Sequence, residues 1–217
     1  MIDINSVHLP SAGFDLVERS DEMLVWENDR PERLTLNFFA KPPDLPCNAD
    51  NTELLREFYR FAIARMGGGL VSVDTVTIND IASVKTIFKF LTDPQGICYI
   101  GAITVPFQEF SYVVKVQCPE VGTTGSRQAI VLDDCLARGT VTLDAGTQTL
   151  KGWSQDPYNA ESISPLMRNL SEAESYDEQF PEHPLSRARS LLHRTEQSLS
   201  FAPDVLASNR FNRAPAF

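Results

Sequence analysis

Between Val71 and Val116 the chain shows run after run of alternating apolar residues and no stretch with helical spacing. That stretch decides the fold class. Val71 and Val73 alternate before the phase slips to Val76 and Ile78, which places a bulge or turn at Asp74-Thr75. Asn79-Asp80 and Asp93-Pro94-Gln95-Gly96 are turn sequences. Between them Val84, Thr86, Phe88 and Phe90 share one face of a strand, with Lys85 and Lys89 on the other. Ile97, Tyr99, Ile103 and Val105 then share one parity, and Phe110, Tyr112, Val114 and Val116 another. Connections this short force antiparallel pairing, because a parallel crossover needs a dozen or more residues.

The flanks complete an α+β pattern. Strands are expected from Gly13 to about Ala40, where Leu34, Leu36 and Phe38 alternate before Lys41-Pro42-Pro43 ends the ladder. Asp50 and Glu53 have capping-box spacing and open a helix in which Leu54, Phe58, Phe61, Ala62 and Arg65 fall at three- and four-residue steps, four of the five apolar; Gly67-Gly68-Gly69 closes it. A second helix is expected from about Arg127 to Ala137, capped by Ser126 or Thr124, followed by a hairpin around Asp144-Ala145-Gly146. The expected fold is a twisted antiparallel β-sheet of about six strands flanked by helices. Beyond Trp153 the chain turns polar and proline-punctuated. Ser171-Glu172-Ala173-Glu174 reads as a capping box opening a short helix to about Phe180. Pro184 starts a longer helix with the stripe Leu185, Ala188, Leu192, Thr195 and Leu199, ended by Pro203. The tail after Asn209 reads as frayed. Two units are expected, a core over 1–150 and a largely helical C-terminal extension over 151–217. The stripe favours packing of the extension on its own sheet over service as a partner-binding arm.

Four stretches carry a resemblance. They are Arg33-Leu34-Thr35-Leu36-Asn37-Phe38, Gly67-Gly68-Gly69-Leu70, the pair Tyr99-Ile100-Gly101-Ala102-Ile103 and Phe110-Ser111-Tyr112-Val113-Val114, and Glu120-Val121-Gly122-Thr123-Thr124-Gly125-Ser126-Arg127. From about Phe14 to Ala137 the chain resembles the PsbP-like family, which includes a photosystem subunit, a nuclear-transport factor that binds the Ran GTPase, and bacterial secretion-associated chaperones. The resemblance implies a twisted sheet with helices against it and binding of proteins or apolar segments without chemistry. It transfers no site residue, and residues 151–217 lie outside the family pattern.

Charge narrows the partners. With 19 Lys and Arg against 29 Asp and Glu, the net charge is −10. Such a surface repels phosphate backbones and anionic lipid and attracts a basic protein face. Nucleic acid and membrane insertion are therefore not expected; no segment has the ~20 continuous apolar residues of a span. Met1 to Asn5 lacks the basic start of a secretory signal, and Cys47, Cys98, Cys118 and Cys135 form no CxxC or zinc spacing, so a cytoplasmic protein with free thiols, no metal and no cofactor is expected.

Several residues are weighed for function. Gly122-Thr123-Thr124-Gly125 precedes a helix, a geometry that can offer N–H groups to a phosphate, but no lysine follows and Arg127 reads as the partner of an acidic neighbour. His183, with Ser186 beside it, lacks the elbow and glycine loop of a hydrolase. Glu172, Glu174, Asp177, Glu178 and Glu182 read as a solvated face or an attractor for a basic partner, with Arg187, Arg189 and Arg194 placed to pair with acidic groups. Cys98 and Cys118 can approach each other on adjoining strands, and Phe88, Phe90, Phe107 and Phe110 can line an apolar cavity. The resulting expectation is a non-enzymatic protein-binding module (an adaptor, a secretion-associated chaperone or an immunity-type protein) that recognises its partner by shape and acidic surface. Its speculative binding set is Arg127, Glu172, Glu174, Asp177, Glu178, His183 and Arg187. A hydrolase around His183 and an apolar-ligand-binding protein are the alternatives.

Overall fold

The computed structural model describes residues 2–92, 96–122, 124–162, 164 and 166–213. Asp93-Pro94-Gln95, where a turn is expected from sequence, Thr123 of the glycine loop and the last residues of the tail lie outside that set. The fold is α+β. Its sheet has seven strands: β1 Asp15–Arg19, β2 Met23–Glu27, β3 Arg33–Phe39, β4 Gly69–Ile78, β5 Ile81–Thr92, β6 Gly96–Pro106 and β7 Ser111–Pro119. Their spatial order is β1-β2-β3-β7-β6-β5-β4, antiparallel throughout. The helices are α1 Thr52–Arg65, α2 Ser126–Ala137, α3 Pro184–Ser198 and the short α4 Pro203–Leu206. The sheet thus holds one strand more than expected. A small hairpin pairs Thr142–Asp144 with Thr149–Lys151, as its turn sequence predicts.

The β4–β5 connection is a two-residue hairpin in which Asn79 and Asp80 take φ of 49° and 62°, the left-handed pair these residues tolerate best. The bulge in β4 lies between Leu70 and Ser72, not at Asp74-Thr75, which pair regularly with Lys85 and Val84. Its effect is to send Val71 and Val73, two residues apart, to opposite faces. Val71 joins the apolar cluster on the α3 side and Val73 the cluster on the α1 side. The sheet is therefore buried on both faces here, which simple alternation does not describe.

On the α3 side, Tyr99, Ile103, Val105, Tyr112, Val114 and Val116 pack with Leu185, Ala188, Leu192, Leu199, Phe201 and Val205 in one cluster. The C-terminal helix thus packs on its own sheet through the stripe read from sequence. The boundary expected at residue 150 falls between elements that share this core. Gly101 makes the approach close: a Cβ there would meet Leu192 Cδ1 at 2.6 Å. His183 caps α3, its Nδ1 accepting from Leu185 N–H, and Pro184 occupies the first turn.

Three local expectations are corrected. The cap of α1 is Asn51, whose side chain accepts from Leu54 N–H, and the inward stripe is Leu55, Tyr59 and Ile63, leaving Leu54 and Phe61 outside. The cap of α2 is Gly125 at φ 74°, with no side-chain cap. In place of a helix from 171 to 180 stand two 3-10 turns, Leu170–Glu172 and Glu174–Tyr176, the first capped by Asn169 with Glu172 as its third residue.

Candidate interaction surfaces and the buried charge network

Lys89 and Glu172 are the first surprise of the interior. The α3 face of β5 carries Lys85 and Lys89, the parity read from sequence, but that face is covered. Lys89 is 1% exposed and Glu172 0%. The ammonium spends its three donors on Glu172 Oε1 at 2.8 Å, Glu172 Oε2 at 2.7 Å and the Met167 carbonyl at 2.9 Å. The carboxylate also accepts from Tyr99 Oη at 2.9 Å and Asn169 N–H at 2.9 Å. Burial, followed by the charge and hydrogen bond of Glu172, pushes the Tyr99 phenol well above its ordinary range. Glu172 is therefore an internal counter-charge that pins the segment after 166 to the sheet, not part of a solvated face.

Arg127 repeats the pattern one layer on. It is 1% exposed, and its guanidinium donates to the Ser171 carbonyl at 2.6 Å, Ser186 Oγ at 2.7 Å, the Ala173 carbonyl at 3.0 Å and Asp177 Oδ1 at 3.0 Å. Burial is the first cause of its lowered pKa, opposed by Asp177. Arg189 grips the same carboxylate at 2.9 and 3.0 Å and donates to the Glu172 carbonyl at 2.7 Å. Asp177 is thus neutralised by two arginines. The acidic neighbour expected for Arg127 is there, and four of the five N–H groups of the guanidinium are engaged within the protein.

His183 is the third node. Its Nε2 is buried without a hydrogen-bond partner and lies 3.7 Å from Glu120 Oε1, beyond hydrogen-bond length. A pocket of about 410 Å³ adjoins it, lined also by Glu120, Ser126, Arg127 and Arg187. Ser186 Oγ donates to Asp177 Oδ1 at 2.9 Å and accepts from Arg127; no hydrogen bond joins it to His183 among the described residues. Burial acts to raise the Glu120 pKa but is outweighed by the His183 ring and the N–H groups of Gly125 and Ile97, which bring it below the usual carboxylate value. Arg187 pairs with Glu32, itself 5% exposed.

Of the seven residues singled out by sequence, Arg127, Glu172, Asp177, His183 and Arg187 are drawn into this buried network, while Glu174 and Glu178 remain exposed. The four phenylalanines divide: Phe107 and Phe110 stack at 4.5 Å in the α3-side core, and Phe88 packs in the α1-side cluster with Phe90 edge-on at 5.8 Å. They do not line one cavity. Cys98 and Cys118 sit in adjacent register, pairing with Pro119 and Tyr99, and both are free thiols. Burial pushes the Cys118 thiol up, the nearby Glu32 adding to it. Among the described residues no group of three metal-ligating side chains occurs, and no helix is long and apolar enough to cross a membrane.

Outside this network lies an exposed apolar surface. The outer face of α1 presents Leu54 at 47% exposure and Phe61 at 61%, with Met66 at 66% just past the helix and half-buried Phe58 between. Glu53 and Glu57 are exposed beside them, without an ion pair among the described residues. Positions 54, 58 and 61 are neighbours on a helix surface. The spacing of this stripe is legible in the sequence; the side of the helix it occupies is not.

No protein-family model matches the chain, and no curated protein matches its sequence. Among solved structures the chain is similar to a mutant of the protein Mog1, at 12% identity over 94% of this chain and 95% of that one, with a TM-score of 0.48. It is also similar to PsbP from the cyanobacterium Synechocystis sp. PCC 6803, at 14% identity over 62% and 85% of the two chains, with a TM-score of 0.37.

Proposed function

We propose that this chain is a non-catalytic protein-binding module that recognises a partner by shape and acidic charge, and that its docking surface is the outer face of α1. The observation that carries the reading is the exposed stripe of Leu54, Phe58 and Phe61 flanked by unpaired Glu53 and Glu57. A helix in a soluble domain normally turns such a stripe inward. A second apolar stripe on the solvent side is the feature by which helix-in-groove partners are bound. The acidic flank selects a basic amphipathic segment, in keeping with the net charge of −10. Adaptor, secretion-associated chaperone and immunity-type roles all require a surface of this kind. A cytoplasmic setting belongs to the proposal, since all four cysteines are free. The hydrolase reading has less support, because the His183 Nδ1 is committed to its cap and the Ser186 hydroxyl to Arg127 and Asp177.

The test uses an immobilised basic amphipathic helical peptide and its charge-reversed twin, with binding read by interferometry at low and high salt. The basic peptide is expected to bind, to weaken as salt rises, and to lose about tenfold or more in affinity against Phe61→Glu, a shift of about 1.4 kcal/mol. Equal binding of both peptides, or indifference to Phe61→Glu, would overturn the assignment.

A further inference from the structure

The two edges of the sheet are treated differently. At the β4 edge, Tyr158 Oη accepts from Val73 N–H at 2.7 Å and donates to the Val73 carbonyl at 3.2 Å, and Arg56 Nε donates to the same carbonyl at 3.1 Å. The Leu166 carbonyl lies so close to Gly69 that a Cβ there would meet it at 1.8 Å. That edge is sealed. At the β1 edge all five residues, Asp15 to Arg19, are exposed, and among the described residues no hydrogen bond reaches the outer side of Leu16 or Val17.

The bare edge is also the end of an apolar row. Cross-strand register runs Val116, Leu34, Trp26, Leu16 across β7, β3, β2 and β1. Exposure along it rises from 0% through 2% and 9% to 47%, so the row stops where the sheet stops. Asp15, Glu18, Asp21 and Glu22 are exposed around it, without an ion pair among the described residues, while Arg19 is held by Asn5 at 2.7 Å. Charges and a bulge, here between Leu16 and Glu18, are how an edge avoids indiscriminate pairing. Four acids of one sign do more: they discriminate.

We propose that β1 is a strand-addition site for an extended basic segment of a partner protein. Such a segment would pair with the free backbone groups of β1 and lay an apolar residue beside Leu16 to continue the row. Its lysines or arginines would sit against Asp15, Glu18 and the β1–β2 turn. A second copy of this chain is disfavoured by its own charge of −10. The site is separate from α1, which covers the opposite end of the sheet at β4.

The probe is a fluorescent peptide of alternating lysine and valine, titrated at low salt and read by anisotropy. Its controls are the same peptide N-methylated on alternate amides, which cannot pair as a strand, and a glutamate–valine twin. Expected are binding of the first peptide, about tenfold or greater loss on N-methylation and with the Asp15→Lys/Glu18→Lys variant, and no change with Phe61→Glu. Equal binding of the N-methylated or glutamate peptide would overturn the proposal. So would loss with Phe61→Glu alone, which would assign the peptide to α1, or sedimentation showing dimers that Asp15→Lys/Glu18→Lys dissociates.

Discussion

Replacing Glu172 by glutamine leaves the Lys89 ammonium buried with no counter-charge, and removing one member of a buried pair costs about 3–5 kcal/mol. Replacing both, as Lys89→Met with Glu172→Leu, removes the desolvated charges together and is expected to recover most of that loss. Urea unfolding of the three variants separates these outcomes. A sequence shows Lys89 on the face opposite Phe88, but alternation assigns a face without saying what lies on it, and the cover here comes from residues 167–172. Glu120 gives a pH test at the same scale. Its carboxyl is held below the usual value in the folded chain, so it stabilises above that value and its contribution is lost as the pH falls through the folded pKa. Glu120→Gln is expected to be less stable than the parent near neutrality and to show a flatter decline in urea midpoint between about pH 6 and pH 3.

Elements were legible where one face is buried and misread where two are apolar. The α3 stripe at Leu185, Ala188, Leu192 and Leu199 has a single solution, and the structure buries all four. Helix α1 has two candidate stripes, Leu54-Phe58-Phe61 and Leu55-Tyr59-Ile63, and periodicity alone does not rank them. Arg56 reaching the Val73 carbonyl and Arg60 bonding Asp156 at 3.0 Å fix the choice, and those contacts come from distant sequence. Leu55→Ala is therefore expected to cost about 2–5 kcal/mol, and Phe61→Ala to stay within about 0.5 kcal/mol, as read by denaturant midpoints. The α3–β6 contact gives a sharper case. Gly101→Ala drives a methyl into Leu192 and Val116 and is expected to cost about 1–3 kcal/mol. Pairing it with Leu192→Ala opens room for that methyl, so the double variant should lose less than the two single losses combined.

For the whole molecule, composition, alternation and the α3 stripe were enough for an antiparallel α+β sheet with the extension packed on it, and were silent on the buried charges that tie the last third of the chain down. The binding is reciprocal. Residues 167–192 supply the partners of Lys89, Tyr99 and Arg127, and the sheet supplies the wall against which Leu185, Ala188 and Leu192 pack. A chain cut after residue 150 would lose the cover and the counter-charges of Lys89 and Arg127 together. It would also expose the apolar face formed by Ile103, Val105, Val114 and Val116. Exposing that apolar face is a large loss against a domain stability of about 5–15 kcal/mol. The 1–150 fragment is therefore expected to lose cooperative unfolding and to bind a hydrophobic dye, in contrast to the full chain. A fragment that unfolds in one sharp transition would mean that the sheet stands without α3, and that the charges beneath the C-terminal segment hold the segment down and do nothing for the strands.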